Sequence, residues 1–164
     1  MPRSPAAPAF EPHDHHHCVS LALSNAEDVV RARGLRMTPV RRRTLEILLE
    51  RHGAMGAYDV LQRLAEDGFG HQPPVAYRAL DFLVENGLAH RVQRLNAFAA
   101  CAHPGEAHHA AFLICRVCNA LAEIPADPIR ATLEQGATAL GFTVERASIE
   151  ALGLCTACRE GVEG

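Results

Sequence analysis

Residues 73–92 read PPVAYRALDFLVENGLAHRV. Paired prolines suit the first turn of a helix, where φ near −65° is wanted and the missing amide has no partner to lose. Ala76, Leu80, Leu83 and Val84 then recur on one face at helical spacing, and Gly87 past them is a stop. Two short strand-like runs follow, LAHRVQ and AFAAC, on either side of Leu95-Asn96. Upstream, helix signals repeat. Ala57 opens a run to Asp67 that buries Val60, Leu61 and Leu64, with Gly68 past its end. Thr38-Pro39 supplies an N-cap and a first-turn proline to a helix carrying Val40, Leu45, Ile47, Leu48 and Leu49 and stopping near Gly53. Ser24-Asn25-Ala26-Glu27 fits a capping box for a short first helix that Gly34 closes. Short helices followed by a two-stranded wing predict the winged form of helix-turn-helix.

Outside this block the texture changes. Residues 1–20 are rich in Pro, Ala and His with no apolar period, and read as a mobile arm. After Cys101, AHPGEAHH reads as a loop, HAAFLIC and ALAEI as strands, and 127–140 as a helix with Ile129, Leu133 and Leu140 along one side and Gly141 as stop. FTVERASIEALGL has the partial alternation of a strand. The expected fold is α+β: an arm at 1–20, a winged helix-turn-helix domain at 21–100, a hinge at 101–106 and a small α/β domain at 107–164.

Bulk properties narrow the function. The 164 residues suit one medium domain or two small ones with thin cores. No apolar run approaches the ~20 residues of a membrane span, and VSLAL is too short and wrongly flanked for a signal peptide. The expected compartment is the cytoplasm, where cysteines serve as metal ligands or catalytic groups more than as disulfides. Net charge is −3, but residues 24–100 hold eleven arginines against nine acids, and residues 101–164 hold four against eight. There is no lysine. A mildly basic first half beside an acidic second half fits a DNA-reading domain joined to something else.

Cys115-Arg116-Val117-Cys118 and Cys155-Thr156-Ala157-Cys158 are two C-x-x-C knuckles. Each spacing turns two thiolates onto one ion, and two knuckles complete the tetrahedral shell of a structural Zn(II) site. Such a site staples a domain too small to hold itself. A second set of donors remains: His90, Cys101, His103, His108, His109 and Glu123. A two-residue turn at Leu95-Asn96 would place His90 opposite Cys101 across the hairpin. HDHHHC at 13–18 is dense in donors but sits in the arm, where a metal would itself have to order the backbone.

The stretch from Pro73 to Val92, with MTPVRRRTLEILL and GAYDVLQRL before it and CRVCNALAE and GLCTAC after it, closely resembles the Fur family of bacterial metalloregulators, most of all its zinc uptake regulators. The resemblance implies a homodimer in which the winged helix reads palindromic operator DNA and the C-terminal α/β domain dimerises. It implies a structural zinc at Cys115, Cys118, Cys155 and Cys158. It implies a regulatory zinc held by a wing His, a hinge Cys, a His before the first knuckle and a Glu after it, which fall on His90, Cys101, His108 and Glu123, for two Zn(II) per subunit. The loop from Cys101 to Cys115 is one residue shorter than in relatives, so the third ligand falls on His108 or its neighbour His109, with His108 favoured. Tyr58 and Arg78 match DNA-contacting positions, with Tyr77 and Arg42 beside them. The chain departs from the family at Val75, where Thr is usual: a Thr there could bond a phosphate or the helix start, and Val75 cannot.

The residue types support this reading. A thiolate, two imidazoles and a carboxylate suit tetrahedral Zn(II), whereas an iron sensor favours N/O donors and higher coordination. Arg78, opposite the Leu80/Leu83 face, can take guanine O6/N7 in a major groove. The arginines at 31, 33, 36, 41, 42 and 43 would lie near phosphates. Enzyme chemistry is disfavoured: His103-Pro104-Gly105-Glu106 has the wrong spacing for a zinc deaminase, and four protein ligands leave no place for a substrate water. The alternatives are an iron- or other metal-responsive regulator of the same family and, from another class, a zinc storage or chaperone protein, with HDHHHC as its main support. The function expected is a zinc-responsive repressor of zinc-uptake genes.

Overall fold

The computed structural model describes residue 10 and residues 15–51 and 53–162. Its first helix, α1 (His15–Ala32), begins earlier than the capping box at Ser24 suggests, so residues 15–20 are helical rather than part of an arm. Packing decides the start. Val19, Leu23, Ala26 and Val30 follow one another at helical spacing and form one stripe on the core. Glu27 does not turn back on Ser24; its carboxylate pairs with Arg42 of the next helix. Of HDHHHC, His15–Cys18 form the first turn of α1, and residues 13 and 14 lie outside the described residues.

Helix α2 (Pro39–Leu49) starts as expected, with the Thr38 hydroxyl accepting from the Arg41 amide at 3.4 Å. Its Thr44 is fully buried and donates to the Val40 carbonyl at 2.7 Å, which satisfies the hydroxyl within the helix. Helices α3 (Ala57–Glu66) and α4 (Pro73–Glu85) bury Val60, Leu61 and Leu64, and Ala76, Leu80 and Leu83. Gly87 ends α4 at φ 68°, which lets the Leu88 amide return to the Leu83 carbonyl at 2.8 Å.

Strands β1 (Ala89–Val92) and β2 (Ala97–Ala100) form the wing. Their register corrects the sequence reading. His90 pairs with Ala99, not Cys101, because the loop takes four residues, 93–96, with Asn96 at φ 46°. The slip is even, so it keeps His90 and Cys101 on one face of the hairpin, now as diagonal neighbours. Met55 exchanges backbone bonds of 2.8 and 2.9 Å with Phe98, adding an antiparallel bridge on the other edge of β2.

The second sheet is ordered β4-β3-β5, from β3 (Ala110–Cys115), β4 (Leu121–Pro125) and β5 (Ile149–Gly153). β3 runs antiparallel to β4 and parallel to β5, with helix α5 (Asp127–Ala139) in the crossover. Only Ile149–Gly153 of the expected 142–154 strand pairs, and a short helix the sequence reading lacks, α6 (Thr156–Val162), follows it. Helix α5 buries none of its residues: Ile129 and Leu133 stay 41% and 46% exposed, and Leu140 and Phe142 just past its end 86% and 65%.

Two cores result. The larger joins α1–α4 to the base of the wing. The smaller joins Val92 and Ala99 of the wing to Phe112, Ile114 and Leu121 of the second sheet. Gly53 bridges to Ala120 between the two halves. The 102–109 loop lies against α1 at Gly105, whose φ of 87° suits glycine and whose missing Cβ would stand 2.6 Å from Val29 Cγ2. No described helix is long and apolar enough to cross a membrane.

Candidate metal centres and the exposed helix faces

The four knuckle cysteines come together, each offering a sulfur within 4.8 Å of the others. Cys115 ends β3, and Asn119 at φ 58° turns the chain back so that its amide bonds the Cys115 carbonyl at 3.0 Å. Cys155 stands before α6 and accepts at its carbonyl from the Arg159 amide at 2.9 Å, which puts Cys158 in the helix's first turn. Cys118 and Cys155 sulfurs are 3.8 Å apart and all four thiols are free. Backbone amides, first those of Cys118 and Cys155, lower the Cys115 thiol to about 6. Hydrogen bonding to Cys155 and Cys118 pushes Cys158 up to about 12. Cys115 and Cys158 are thus shifted in opposite directions within one group of thiols, and a divalent cation is what would let both ionise.

The second cluster gathers His90, Cys101, His108 and Glu123, again with donor atoms within 4.8 Å of one another. His90 comes from β1, Cys101 follows β2, His108 precedes β3 and Glu123 lies on β4. His108 Nε2 stands 2.7 Å from Glu123 Oε1 and 3.6 Å from Cys101 Sγ. His90 Nε2 is 3.3 Å from the same carboxylate oxygen. The other oxygen, Oε2, accepts from the Ala102 amide at 2.9 Å. The Glu106 carbonyl lies 2.8 Å from His108 Nδ1 and so turns Nε2 inward. His90 is packed edge-on against Phe112 at 5.5 Å between ring centres.

Electrostatics fit a cation at the centre of this group. Burial alone would raise the Glu123 carboxyl, but His90, the Ala102 amide and His108 overrule it and hold it at about 2. Burial, then the Glu123 charge, pushes the Cys101 thiol up to about 12. Burial lowers His108, and the Glu106 carbonyl and Glu123 more than offset it, leaving a net rise. His90 Nε2 is buried yet has no directed hydrogen bond despite its nearness to Glu123. A buried imidazole nitrogen without a bond is costly. Here it is aimed at a carboxylate, a thiol and a second imidazole, the donor set of a tetrahedral site.

The remaining sequence candidates separate clearly. His109 Nδ1 turns away to Asp127 at 3.1 Å, so His108 is the residue brought to the cluster. His103 stays outside the donor group, its ring 6.1 Å from that of His108, while its amide donates to Cys101 Sγ at 3.4 Å. Tyr58 projects from the start of α3 at 80% exposure, and Tyr77 and Arg78 project from α4 opposite its buried face. Arg42 is drawn into ion pairs with Glu27 and Glu46. Arg41 lies over the Phe82 ring at 3.6 Å, and Arg43 holds Asp67 at 2.5 Å. Sequence reasoning missed the Ala102 amide and the Glu106 carbonyl, since backbone groups leave no mark in residue type.

Comparison with known proteins agrees across both halves. The sequence profile of the Ferric uptake regulator family matches residues 32–152. The zinc uptake regulation protein of Escherichia coli (strain K12) is 37% identical over 139 residues, which is 84% of this chain and 81% of that protein. A zinc uptake regulator complexed with zinc and DNA superposes with a TM-score of 0.83 at 35% identity, over 89% of this chain and 98% of that one. The holo form of XcZur matches with a TM-score of 0.77 and its apo form with 0.51, both at 36% identity over 87% of this chain and 99% of that one. Identity and coverage are equal for the two forms, so the difference is one of arrangement. The chain superposes better on the holo form than on the apo form.

Proposed function

The chain belongs to the ferric uptake regulator family, and from that premise we propose that it is a zinc-responsive transcriptional repressor of zinc-uptake genes. It acts as a homodimer on palindromic operator DNA. One observation carries the reading: four donors of the right kind, from the wing, the segment after it and the second sheet, meet within 4.8 Å across the two halves of the chain.

His90, Cys101, His108 and Glu123 would hold the regulatory ion, and Cys115, Cys118, Cys155 and Cys158 a structural one, for two Zn(II) per subunit. The ion at the first site supplies the positive charge and the cross-link that its donors lack. His90 belongs to the winged-helix domain, Cys101 to a hinge at 101–106, and His108 and Glu123 to the dimerisation domain from 107 onward. Holding one ion in common, they fix the wing against the second sheet. The Ile129–Leu133 stripe of α5 and the neighbouring Leu140 and Phe142 form an exposed apolar patch suited to the partner subunit. With that interface fixed, the orientation of each wing sets the separation of the two α4 helices, which must match successive major-groove turns about 34–36 Å apart. Arg78 and Tyr77 on α4 and Tyr58 on α3 then face the DNA, with Arg42 near the backbone once released from its ion pairs. Affinity for the ion in the closed arrangement becomes affinity for DNA by linkage.

Cys101 selects zinc over iron, because a thiolate beside imidazoles suits the softer tetrahedral ion. Four protein donors at each site leave no open position for a substrate, so the protein is a regulator rather than an enzyme. It works where the DNA is, in the cytoplasm. Mild chelation of the purified protein should remove one zinc per chain and abolish operator binding, and restoring zinc should restore it. Equal operator affinity in strong chelator and in zinc would overturn the proposal.

A further inference from the structure

The wing is tied to the second sheet at a point away from the metal cluster. Both oxygens of Glu150 on β5 are used: Oε1 accepts from the Gln93 amide at 2.7 Å and Oε2 from the Arg94 amide at 2.9 Å. The Ser148 hydroxyl donates to Oε1 at 3.2 Å and steadies the carboxylate. Gln93 and Arg94 are the first residues of the wing loop, where no strand partner takes their amides. Glu150 pairs in register with Phe112, so it stands on the sheet face that meets the wing. A carboxylate that accepts two successive amides recognises a backbone conformation, not a side chain, and its bonds are charge-assisted.

We propose that Glu150 is a latch between the two domains that favours the closed wing independently of metal and thereby sets the zinc concentration at which the protein responds. It is a positioning residue, acting through the wing that carries His90. The closed arrangement brings the four donors together, so any contact made only in that arrangement raises zinc affinity by linkage. Two charge-assisted bonds are enough for about a tenfold effect. Glu150 also aims the wing loop that carries Arg94. This inference rests on the zinc-dependent closure proposed above.

Zn(II) itself is the probe. Its affinity for the second site is measured by competition with a chromophoric chelator, with the four-cysteine site filled, in the full-length protein, E150Q and E150A. Amide exchange at Gln93 and Arg94 is followed in the same samples. E150A is expected to bind the second zinc about tenfold more weakly, with selective loss of protection at those two amides and unchanged zinc retention at the cysteines. E150Q keeps one good acceptor and should fall between. Equal zinc affinity in all three proteins, or unchanged protection at Gln93 and Arg94, would overturn the latch. If the unmodified protein bound zinc at the second site with no effect on operator affinity, the proposed function would fail instead, and the exchange data would still decide whether the latch exists.

Discussion

Zinc uptake at the interdomain cluster should release a proton, and Cys101 should be its source. Only a thiolate ligates. The Cys101 thiol, buried beside Glu123, is pushed up to about 12, five units above neutral pH. At ~1.4 kcal/mol per unit, about 7 kcal/mol of the coordination free energy at pH 7 goes into ionising it. Where Cys101 is the only donor still protonated, the apparent zinc affinity should therefore rise about tenfold per pH unit. Where His108, itself raised, must also give up its proton, it should rise more steeply. Calorimetry in buffers of different ionisation heats, with the four-cysteine site filled, counts the protons directly. The unmodified protein should release about one more than C101S, whose hydroxyl stays protonated, and C101S should bind zinc at least ~100-fold more weakly, having lost a ligand. A zinc affinity independent of pH between 7 and 9, or the same proton count in both proteins, would refute Cys101 as the ligand.

Glu123 gives the metal-free protein an acid-sensitive contribution to stability. Its folded value of about 2 lies below the ordinary 4.5, so the stabilisation is present above about 4.5 and is lost as pH falls toward 2. It is worth about 3 kcal/mol at ~1.4 kcal/mol per unit, and urea titrations at pH 5 and pH 3 should show E123Q losing less on acidification than the parent. L133E should split the dimer, since a charge in the α5 stripe remains unpaired on association; sedimentation would show a monomer that keeps its four-cysteine zinc. R78A should weaken operator binding by about 1–3 kcal/mol and flatten base preference at one operator position per half-site, read by competition with substituted operators. Deletion of residues 1–14 should leave zinc-dependent DNA binding intact. Deletion of residues 1–23 removes Val19 and Leu23 from the core and should lower the melting temperature.

What the sequence revealed depended on whether the signal was local. Helices α2 to α4 are written in caps and periodicity: Thr38-Pro39, the Val60/Leu61/Leu64 face and the Pro73 start all lie within a turn or two of what they specify. The start of α1 was hidden because a good capping box at Ser24 competes with an apolar stripe that begins five residues earlier, and tertiary packing favours the stripe. The wing register slipped because Leu95-Asn96 resembles a two-residue turn, whereas the loop spends four residues and relies on Asn96 in the left-handed region. That error left the expected donor grouping unharmed only because register slips of two preserve faces. The α5 stripe was legible as amphipathic but not as uncovered, since periodicity marks an apolar face and not what lies against it. Glu150 was invisible: its ligands are backbone amides more than fifty residues away, and no residue type announces them.

The same non-local contacts explain how closure can be conditional. A wing fused to the second sheet by a large, well-satisfied core would be shut at all times and could report nothing. The core that joins them here is small, built on Val92, Ala99, Phe112, Ile114 and Leu121. Beside it the fold buries a carboxylate, a neutral thiol and an imidazole whose nitrogen has no directed bond. The apolar contacts and the Glu150 bonds favour closure, while that unsatisfied polar group opposes it by about 1–3 kcal/mol. Terms of opposite sign keep the equilibrium within reach of a ligand. To carry it from one part in a hundred closed to ninety-nine requires about 5.5 kcal/mol of differential binding. A single cation that meets four donors only in the closed state can supply this even after Cys101 is ionised, because structural zinc sites reach about 10–16 kcal/mol. The badly bonded His90 nitrogen is in this sense part of the switch: a hydrogen bond that satisfied it without metal would stabilise the closed form and blunt the response.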